Sequence, residues 1–182
     1  MWLSGPTGAG KSSLAEVLGS RGWGVVSEFI DPDIFAGFSA DPHRYCAALQ
    51  ASIMRSRGSQ WAAMNDFRNV VFDRSVGEDF HVFCQLHSSS GLLSADAMDD
   101  LRAISEDVSA NTPEPDLILY LNPGDAVLEG RVTSGHPSAI TDTLASQISL
   151  YEKWILSRQD SIVRIDNSRC KMDAMTAFLE CM

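Results

Sequence analysis

The sequence contains few of the residues that build disulfide-linked or metal-bound folds. It has four cysteines and four histidines in 182 residues. No two cysteines form a C-x-x-C pair, and the histidines are too scattered to complete a zinc site. We therefore expect reduced cysteines and a core stabilised by the apolar residues, which make up 45% of the chain.

The chain also lacks an excess of positive charge. It has 14 basic and 24 acidic residues, which gives a formal net charge of -10. Such a surface repels nucleic acids and anionic membranes, so we expect neither a DNA or RNA polymer nor a membrane as a partner. A single nucleotide can still bind, because salt screens distant charges and a local positive pocket then dominates.

Long hydrophobic runs are absent as well. No apolar stretch reaches the length that a membrane-spanning helix needs. The first residues lack the basic region and the long apolar segment of a signal peptide. These absences predict a cytoplasmic protein.

Strand and helix patterns alternate along the chain, which is typical of an α/β protein. Strands separated by helices imply a parallel sheet with right-handed crossovers. No repeat or long linker divides the sequence, so we expect a single domain over residues 1–182. Strands are predicted at residues 1–4, 24–28, 69–73, 116–121 and 162–165, and helices at 11–20, 42–67, 75–87, 94–109, 125–132, 141–158 and 172–181, with a polar loop at 133–137.

A phosphate-binding motif follows the first predicted strand. Residues 5–12 read GPTGAGKS and match G-x-x-x-x-G-K-[ST] in full. In this motif backbone N–H groups surround the phosphates, the lysine contacts the outer phosphates and the serine hydroxyl coordinates Mg²⁺. The motif predicts ATP and Mg²⁺ as cofactors and a P-loop NTPase-like three-layer sandwich. The predicted nucleotide-binding residues are Gly5, Pro6, Thr7, Gly8, Ala9, Gly10, Lys11, Ser12 and Ser13.

Charged residues follow two further predicted strands. Asp73 ends the apolar run 70–72, as in a Walker-B strand that places a carboxylate near the metal. Arg74 comes next, where motor-type ATPases carry an acid that activates water, and an arginine suits charge neutralisation and acceptor positioning better. Glu28 closes the second strand, on the sheet edge that lines ligand crevices. It is either the base for an attacking hydroxyl or an exposed acid at a turn.

In these segments the chain resembles the deoxyribonucleoside kinases of the deoxycytidine, deoxyguanosine and deoxyadenosine kinase type. The resemblance rests on GPTGAGKSS (5–13), SEF (27–29), FDRSV (72–76) and PDLILYL (115–121), followed by Arg131. It implies a five-stranded parallel sheet and a homodimer. It also implies that Glu28 is the catalytic base, that Arg74 contacts the acceptor hydroxyl and the phosphates, and that Asp73 acts at the metal with Ser12.

The resemblance also implies residues that recognise the base and close the site. Gln50 and Arg57 lie two helical turns apart, and Asp79 matches an acid that pairs with that arginine. A small lid is expected near residues 131–141, with Arg131 as its catalytic cation. The second lid arginine of the family is replaced here by Thr133, and a glutamate that holds the sugar 3′-hydroxyl has no clear counterpart.

The sequence therefore predicts a kinase that transfers the terminal phosphate of ATP to the 5′-hydroxyl of a deoxyribonucleoside. We expect purine deoxynucleosides or deoxycytidine to be preferred. A nucleoside monophosphate kinase of the thymidylate kinase type is the first alternative, since it also combines a P-loop with an Asp-Arg strand end. The second is a nucleotide-binding regulatory module with little transfer activity.

Overall fold

The structure, a computed structural model, describes residues 1–135, 138–158 and 161–168. Within these ranges five strands form one sheet in the order β2-β3-β1-β4-β5, and every neighbouring pair is parallel. The predicted five-stranded parallel sheet is thus confirmed. The strands are β1 (Trp2–Ser4), β2 (Gly24–Val26), β3 (Val70–Asp73), β4 (Ile118–Leu121) and β5 (Ile162–Ile165).

Helices connect the strands and cover both faces of the sheet. A π-helical segment, Asp79–Cys84, lies between two short α-helices in the connection after β3. The helices are α1 (Lys11–Ser20), α2 (Pro32–Ala40), α3 (Pro42–Ala62), α4 (Val76–Glu78), α5 (Gln85–Ser89), α6 (Ala95–Ala110), α7 (Asp125–Gly135) and α8 (Ser138–Ser157).

The alternation of side chains along the strands creates two apolar layers. Leu3, Val71 and Leu119 belong to a buried cluster that includes the apolar side of α1 and residues of α7 and α8. Trp2 and Phe72, their neighbours in sequence, belong to a second cluster with Tyr151 and Trp154 of α8. Because successive strand residues point to opposite faces, these clusters lie on opposite sides of the sheet. The predicted three-layer sandwich is confirmed by this arrangement.

Several predicted boundaries were wrong. The second strand ends at Val26, so Glu28 lies in the loop beyond it. Helix α2 was not predicted, although Asp31 caps it by accepting hydrogen bonds from the backbone N–H groups of Asp33 and Ile34. The third helix ends at Ala62 rather than near residue 67. The predicted loop at 133–137 is helical up to Gly135, because α7 is longer than its apolar pattern indicates.

Two further predictions concern the chain after α7. Helix α8 begins at Ser138, three residues earlier than predicted, and the predicted helix at 172–181 lies outside the described residues. Of the helices that the structure describes, not one combines the length and hydrophobicity needed to cross a membrane.

Candidate active site

The P-loop between β1 and α1 has the backbone conformation that phosphate binding requires. Gly5, Gly8 and Gly10 all have positive φ angles, of 140°, 82° and 98°. A Cβ atom at Gly5 would lie 2.3 Å from the carbonyl oxygen of Leu121, so this position also excludes a larger residue sterically. The loop leads into the N-terminus of α1, where free N–H groups and the helix dipole favour an anion.

Lys11 is folded back onto its own loop. Its Nζ donates hydrogen bonds to the carbonyl oxygens of Gly5 at 2.7 Å and Pro6 at 2.9 Å. Burial, together with the nearby charge of Arg74, lowers the pKa of Lys11 to about 7. A phosphate would offer the ammonium group a stronger partner than these two carbonyls, since charge-assisted hydrogen bonds are the stronger ones.

A cavity of about 450 Å³ opens in front of this loop. It brings together predicted residues of the P-loop, of α1 and of the segments that follow β2 and β3 with two that were not predicted, Ile30 and Phe83. The predicted residues that line the cavity are Thr7, Gly8, Gly10, Lys11, Ser12, Ser13, Glu28 and Arg74. Polar groups therefore occupy the side next to the P-loop, and apolar groups contribute to the rest of the wall.

Arg74 and Glu28 form an ion pair at the cavity. Arg74 Nε lies 3.5 Å from Glu28 Oε1, and the guanidinium group stacks 4.5 Å above the ring of Phe83. Arg74 has a φ angle of 70°, and residues held in this unfavourable region cluster at functional sites. Burial would raise the pKa of Glu28, but the positive charges of Arg74, Arg57 and Lys11 outweigh burial and lower it. Glu28 is therefore ionised at neutral pH and can accept a proton.

The base-recognition residues predicted from the sequence lie behind this pair. Arg57 is fully buried and binds both carboxylate oxygens of Asp79, through Nε at 2.6 Å and NH2 at 3.1 Å. Its NH1 group donates to the backbone carbonyl of Asp73 at 2.7 Å, and NH2 lies 3.7 Å from Glu28. Gln50 is also buried on α3. Arg57 and Asp79 are thus a structural pair next to the cavity, and their contact with a base stays a prediction.

Arg131 contacts the backbone of the P-loop. Its NH1 group donates to the carbonyl of Gly8 at 3.3 Å and its NH2 group to the carbonyl of Asn167 at 2.8 Å. Asn167 in turn donates to the carbonyl of Ala9 at 2.7 Å. Arg131 therefore holds the loop through its backbone and is not among the residues that line the cavity. Its predicted catalytic role stays a prediction.

Three buried polar residues at the site were not predicted from the sequence. Tyr151 of α8 accepts a hydrogen bond from Arg74 NH1 and donates one to Glu78 Oε2 at 2.9 Å. Gln147, one turn earlier on α8, accepts from the hydroxyl of Thr7 at 3.0 Å. Burial raises the pKa of Glu78 to about 7, although Arg74 and Lys11 oppose the shift. The i, i+4 spacing of Gln147 and Tyr151 on a predicted amphipathic helix was the available signal.

The predicted metal ligands are Ser12 and Asp73, and their contact with a nucleotide-bound Mg²⁺ stays a prediction. Ser12 is exposed at the cavity and Asp73 lies at the end of β3, next to the strand that carries the P-loop. In the parts of the chain that the structure describes, no group of three His, Cys, Asp or Glu side chains could hold a metal ion. Mg²⁺ commonly binds through one or two protein groups together with substrate phosphates, which is what Ser12 and Asp73 could provide.

Comparisons with known proteins agree with this geometry. The sequence profile described as deoxynucleoside kinase matches residues 1–177. Deoxyadenosine kinase of Lactobacillus acidophilus is 27% identical over 168 residues, which covers 84% of this chain and 77% of that protein. Thymidine kinase of Ictalurid herpesvirus 1 is 25% identical over 193 aligned positions, covering 98% of this chain and 83% of the relative.

A solved structure shows the same fold. Deoxyadenosine kinase from M. mycoides, described with dCMP and dCDP bound, superposes with a TM-score of 0.83 at 16% identity, covering 99% of this chain and 96% of that one. The predicted resemblance, α/β fold class and kinase activity are confirmed. The chain belongs to the deoxynucleoside kinase family.

Proposed function

We propose that this kinase transfers the terminal phosphate of ATP to the 5′-hydroxyl of a purine deoxynucleoside or of deoxycytidine. One observation carries the proposal: the ion pair of Glu28 and Arg74 faces the same cavity as Lys11 and the P-loop. A base, a cation and a phosphate-binding loop at one cavity are what transfer to a hydroxyl requires. A regulatory module would not need a proton acceptor beside its phosphate-binding loop.

The ionised Glu28 accepts the proton of the 5′-hydroxyl as that oxygen attacks. Lys11 leaves the loop carbonyls for the phosphates, and Arg74 neutralises the charge that develops on the transferred group. Ser12 and Asp73 would hold Mg²⁺ together with the nucleotide, and the metal would supply further charge neutralisation. Arg131 contributes by holding the P-loop through its hydrogen bond to the carbonyl of Gly8.

The proposed base preference rests on Gln50, Arg57 and Asp79. An exocyclic amino group, which adenine and cytosine carry beside a ring-nitrogen acceptor, suits the carboxylate of Asp79. Arg57 offers only donors, so it suits the ring nitrogen or, in guanine, O6 and N7. Thymine lacks the amino group, so it could not donate to the lone pairs of Asp79 that remain beside the two hydrogen bonds from Arg57. One relative is named deoxyadenosine kinase and the solved neighbour is described with dCMP, both bases with an exocyclic amino group.

The alternative hypothesis is a thymidine or thymidylate kinase, and the viral relative named thymidine kinase supports it. A monophosphate acceptor would need additional cations at the acceptor end of the cavity. In the described part of the chain the cations that line the cavity are Lys11 and Arg74. This observation favours an uncharged nucleoside as the acceptor.

The test is ADP release from ATP-Mg²⁺ with nucleosides, nucleoside monophosphates and no acceptor. We expect turnover with deoxyadenosine, deoxyguanosine or deoxycytidine, and at least tenfold less with thymidine, because thymine forgoes a hydrogen bond to the charged carboxylate of Asp79, worth about 1.5–3 kcal/mol. Turnover mainly with thymidine or a monophosphate would contradict the acceptor assignment. Low ADP release that none of the acceptors raises above the level without acceptor would indicate the regulatory module.

The role of Glu28 as the catalytic base is tested by a separate variant. Glu28→Gln keeps the shape of the side chain and removes the proton acceptor, so kcat should fall by roughly 10²–10⁴-fold with little change in KM. Glu16→Gln, at an exposed position of α1, is the matched control and should keep full activity. A fully active Glu28→Gln enzyme would move the base to Asp73. The homodimer, the lid near residues 131–141 and the cytoplasmic location stay predictions.

A further inference from the structure

Side chains contact the guanidinium group of Arg74 at each of its three nitrogens and on one face. Its NH1 group donates to the hydroxyl of Tyr151, its NH2 group lies 3.5 Å from Thr7 Oγ1, and its Nε lies 3.5 Å from Glu28. The ring of Phe83 stacks against its face. Arg74 is 6% exposed. Its position therefore depends on these neighbours rather than on solvent.

Tyr151 connects Arg74 to a second buried carboxyl group. The Tyr151 hydroxyl donates its single hydrogen to Glu78 Oε2 at 2.9 Å, so only its lone pairs remain for Arg74 NH1. Glu78 therefore fixes the direction of the hydrogen bonds along the chain Arg74–Tyr151–Glu78. The other oxygen of Glu78 lies 3.4 Å from Ser75 Oγ, which caps α4 and holds the carboxyl group in place.

Glu78 and Tyr151 are both 0% exposed, and none of the proposed chemical steps uses either of them. A buried carboxyl group without a positive partner is costly, so such groups persist where they organise a site or pair with a cation. Here Arg74 is one hydroxyl away. Burial raises the pKa of Tyr151 well above its ordinary value, so the phenol keeps the proton that it donates to Glu78.

The face of α8 that carries Tyr151 also holds the P-loop. Gln147 lies one turn before Tyr151, and its Oε1 accepts from the Thr7 hydroxyl at 3.0 Å and lies 3.4 Å from the Thr7 backbone nitrogen. One helix thereby fixes both the loop that would hold the phosphates and the cation that would neutralise them. Rotation of α8 would move both together.

We propose that Tyr151 and Glu78 are positioning residues, which orient the Arg74 guanidinium toward the P-loop for phosphoryl transfer. The proposal rests on the function proposed above for Arg74. Catalysis by a preorganised cation depends on its being in place before the reaction, so loosening Arg74 should affect the chemical step more than binding.

The experiment is Tyr151→Phe, which removes the hydroxyl and keeps the ring. We expect kcat to fall about tenfold to a hundredfold, as for the loss of one hydrogen bond to a charged group. The KM values for ATP and for the nucleoside should stay within about twofold. Glu78→Gln should cost less than Tyr151→Phe, because its amide oxygen still accepts the Tyr151 hydrogen bond without the charge. Since the two residues act in series, the double variant should be no slower than Tyr151→Phe alone.

Tyr120→Phe is the matched control. Tyr120 is 0% exposed, its ring lies 6.3 Å from that of Tyr151, and its hydroxyl takes no part in the chain to Arg74. It should keep wild-type kcat when all variants are assayed well below their unfolding transitions. Full activity of Tyr151→Phe, or a loss confined to KM, would overturn the inference. Full activity of Arg74→Ala would instead contradict the proposed function of Arg74, so the two failures can be distinguished.

Discussion

At the scale of single residues, the site concentrates buried charges of both signs at one edge of the sheet. Lys11, Arg57 and Arg74 are each at most 6% exposed, and Glu78 and Asp79 lie among them with similar burial. Each group stabilises its neighbours only as long as the set stays complete, because removing one partner leaves a charge buried and unpaired. Single substitutions here should therefore change stability as well as activity.

Glu78 gives a prediction with a defined pH dependence. Burial raises its pKa from 4.5 to about 7, so between these values the folded protein retains a proton that the unfolded chain has lost. Stability from this group is then present at low pH and is lost as the pH rises through this window. Glu78→Gln lacks this dependence. Its free energy of unfolding relative to wild type should increase from pH 5 to pH 8 by up to about 3 kcal/mol.

Urea denaturation at pH 5, 6, 7 and 8 measures this difference. Glu106→Gln, which changes an exposed glutamate of α6, serves as the control and should show a flat difference across the series. A flat difference for Glu78→Gln would mean that Glu78 remains ionised throughout, with its charge compensated by Arg74 and Lys11. The expected outcome is a variant whose stability relative to wild type rises with pH and whose turnover is slower.

The residues of the P-loop were predictable from the sequence. Glu78 and Tyr151, which hold Arg74 in place, were not. The P-loop residues are neighbours in the chain, so their spacing alone identifies them. Glu78 and Tyr151 lie 73 positions apart and meet only because α4 and α8 pack on the same side of the sheet. A single sequence carries no record of such a contact. The predicted end of β2 was wrong for a related reason, because a charged residue after an apolar run is compatible with either the last residue of a strand or the loop that follows it.

At the scale of elements, helix type depends on tertiary contacts as much as on pattern. The segment 75–87 was predicted as one helix, and the structure divides it with the π-helical segment Asp79–Cys84. Sequence periodicity has no clear signature for such a segment, which often occurs at functional sites. Here it begins at Asp79, the partner of Arg57. The ion pair of Arg57 and Asp79 therefore fixes the first residue of the π-helical segment to α3.

Helix α6 was predicted more closely, and its cap gives a second prediction. Ser94 Oγ accepts a hydrogen bond from the backbone N–H of Ala97 at 3.2 Å. Ser94→Ala leaves that N–H without its partner, so the free energy of unfolding should fall by about 1 kcal/mol. Urea denaturation measures the change, and kcat should be unaffected. Ser89→Ala, an exposed helical serine that caps nothing, should change stability by less than about 0.5 kcal/mol. Equal effects of both would contradict the cap assignment.

At the scale of the whole molecule, a chain with a formal net charge of -10 keeps a cluster of cations at its nucleotide site. Binding of ATP-Mg²⁺ to the folded state alone should raise stability by about 2.7 kcal/mol at a concentration of one hundred times Kd. For a protein of this size that corresponds to an increase in Tm of roughly 5–10 °C. A thermal unfolding series over ATP concentration measures it.

Lys11→Ala should lose most of this increase in Tm, because the buried ammonium group would no longer meet the phosphates. Lys153→Ala, at an exposed position of α8, should show the full increase. If Lys11→Ala kept a normal ATP-dependent increase in Tm, the P-loop would not be the site where ATP binds.

The position of β1 in the sheet has a consequence for folding. Residues 2–4 form the central strand, and their hydrogen-bonded neighbours are residues about 70 and 116 positions later in the chain. The middle of the sheet therefore cannot assemble from a local hairpin, and a large loop entropy must be lost before its first contacts form. During synthesis the apolar residues Trp2 and Leu3 emerge long before both partners exist. The slowest refolding step of this kinase should accordingly be the insertion of its earliest strand between two late ones.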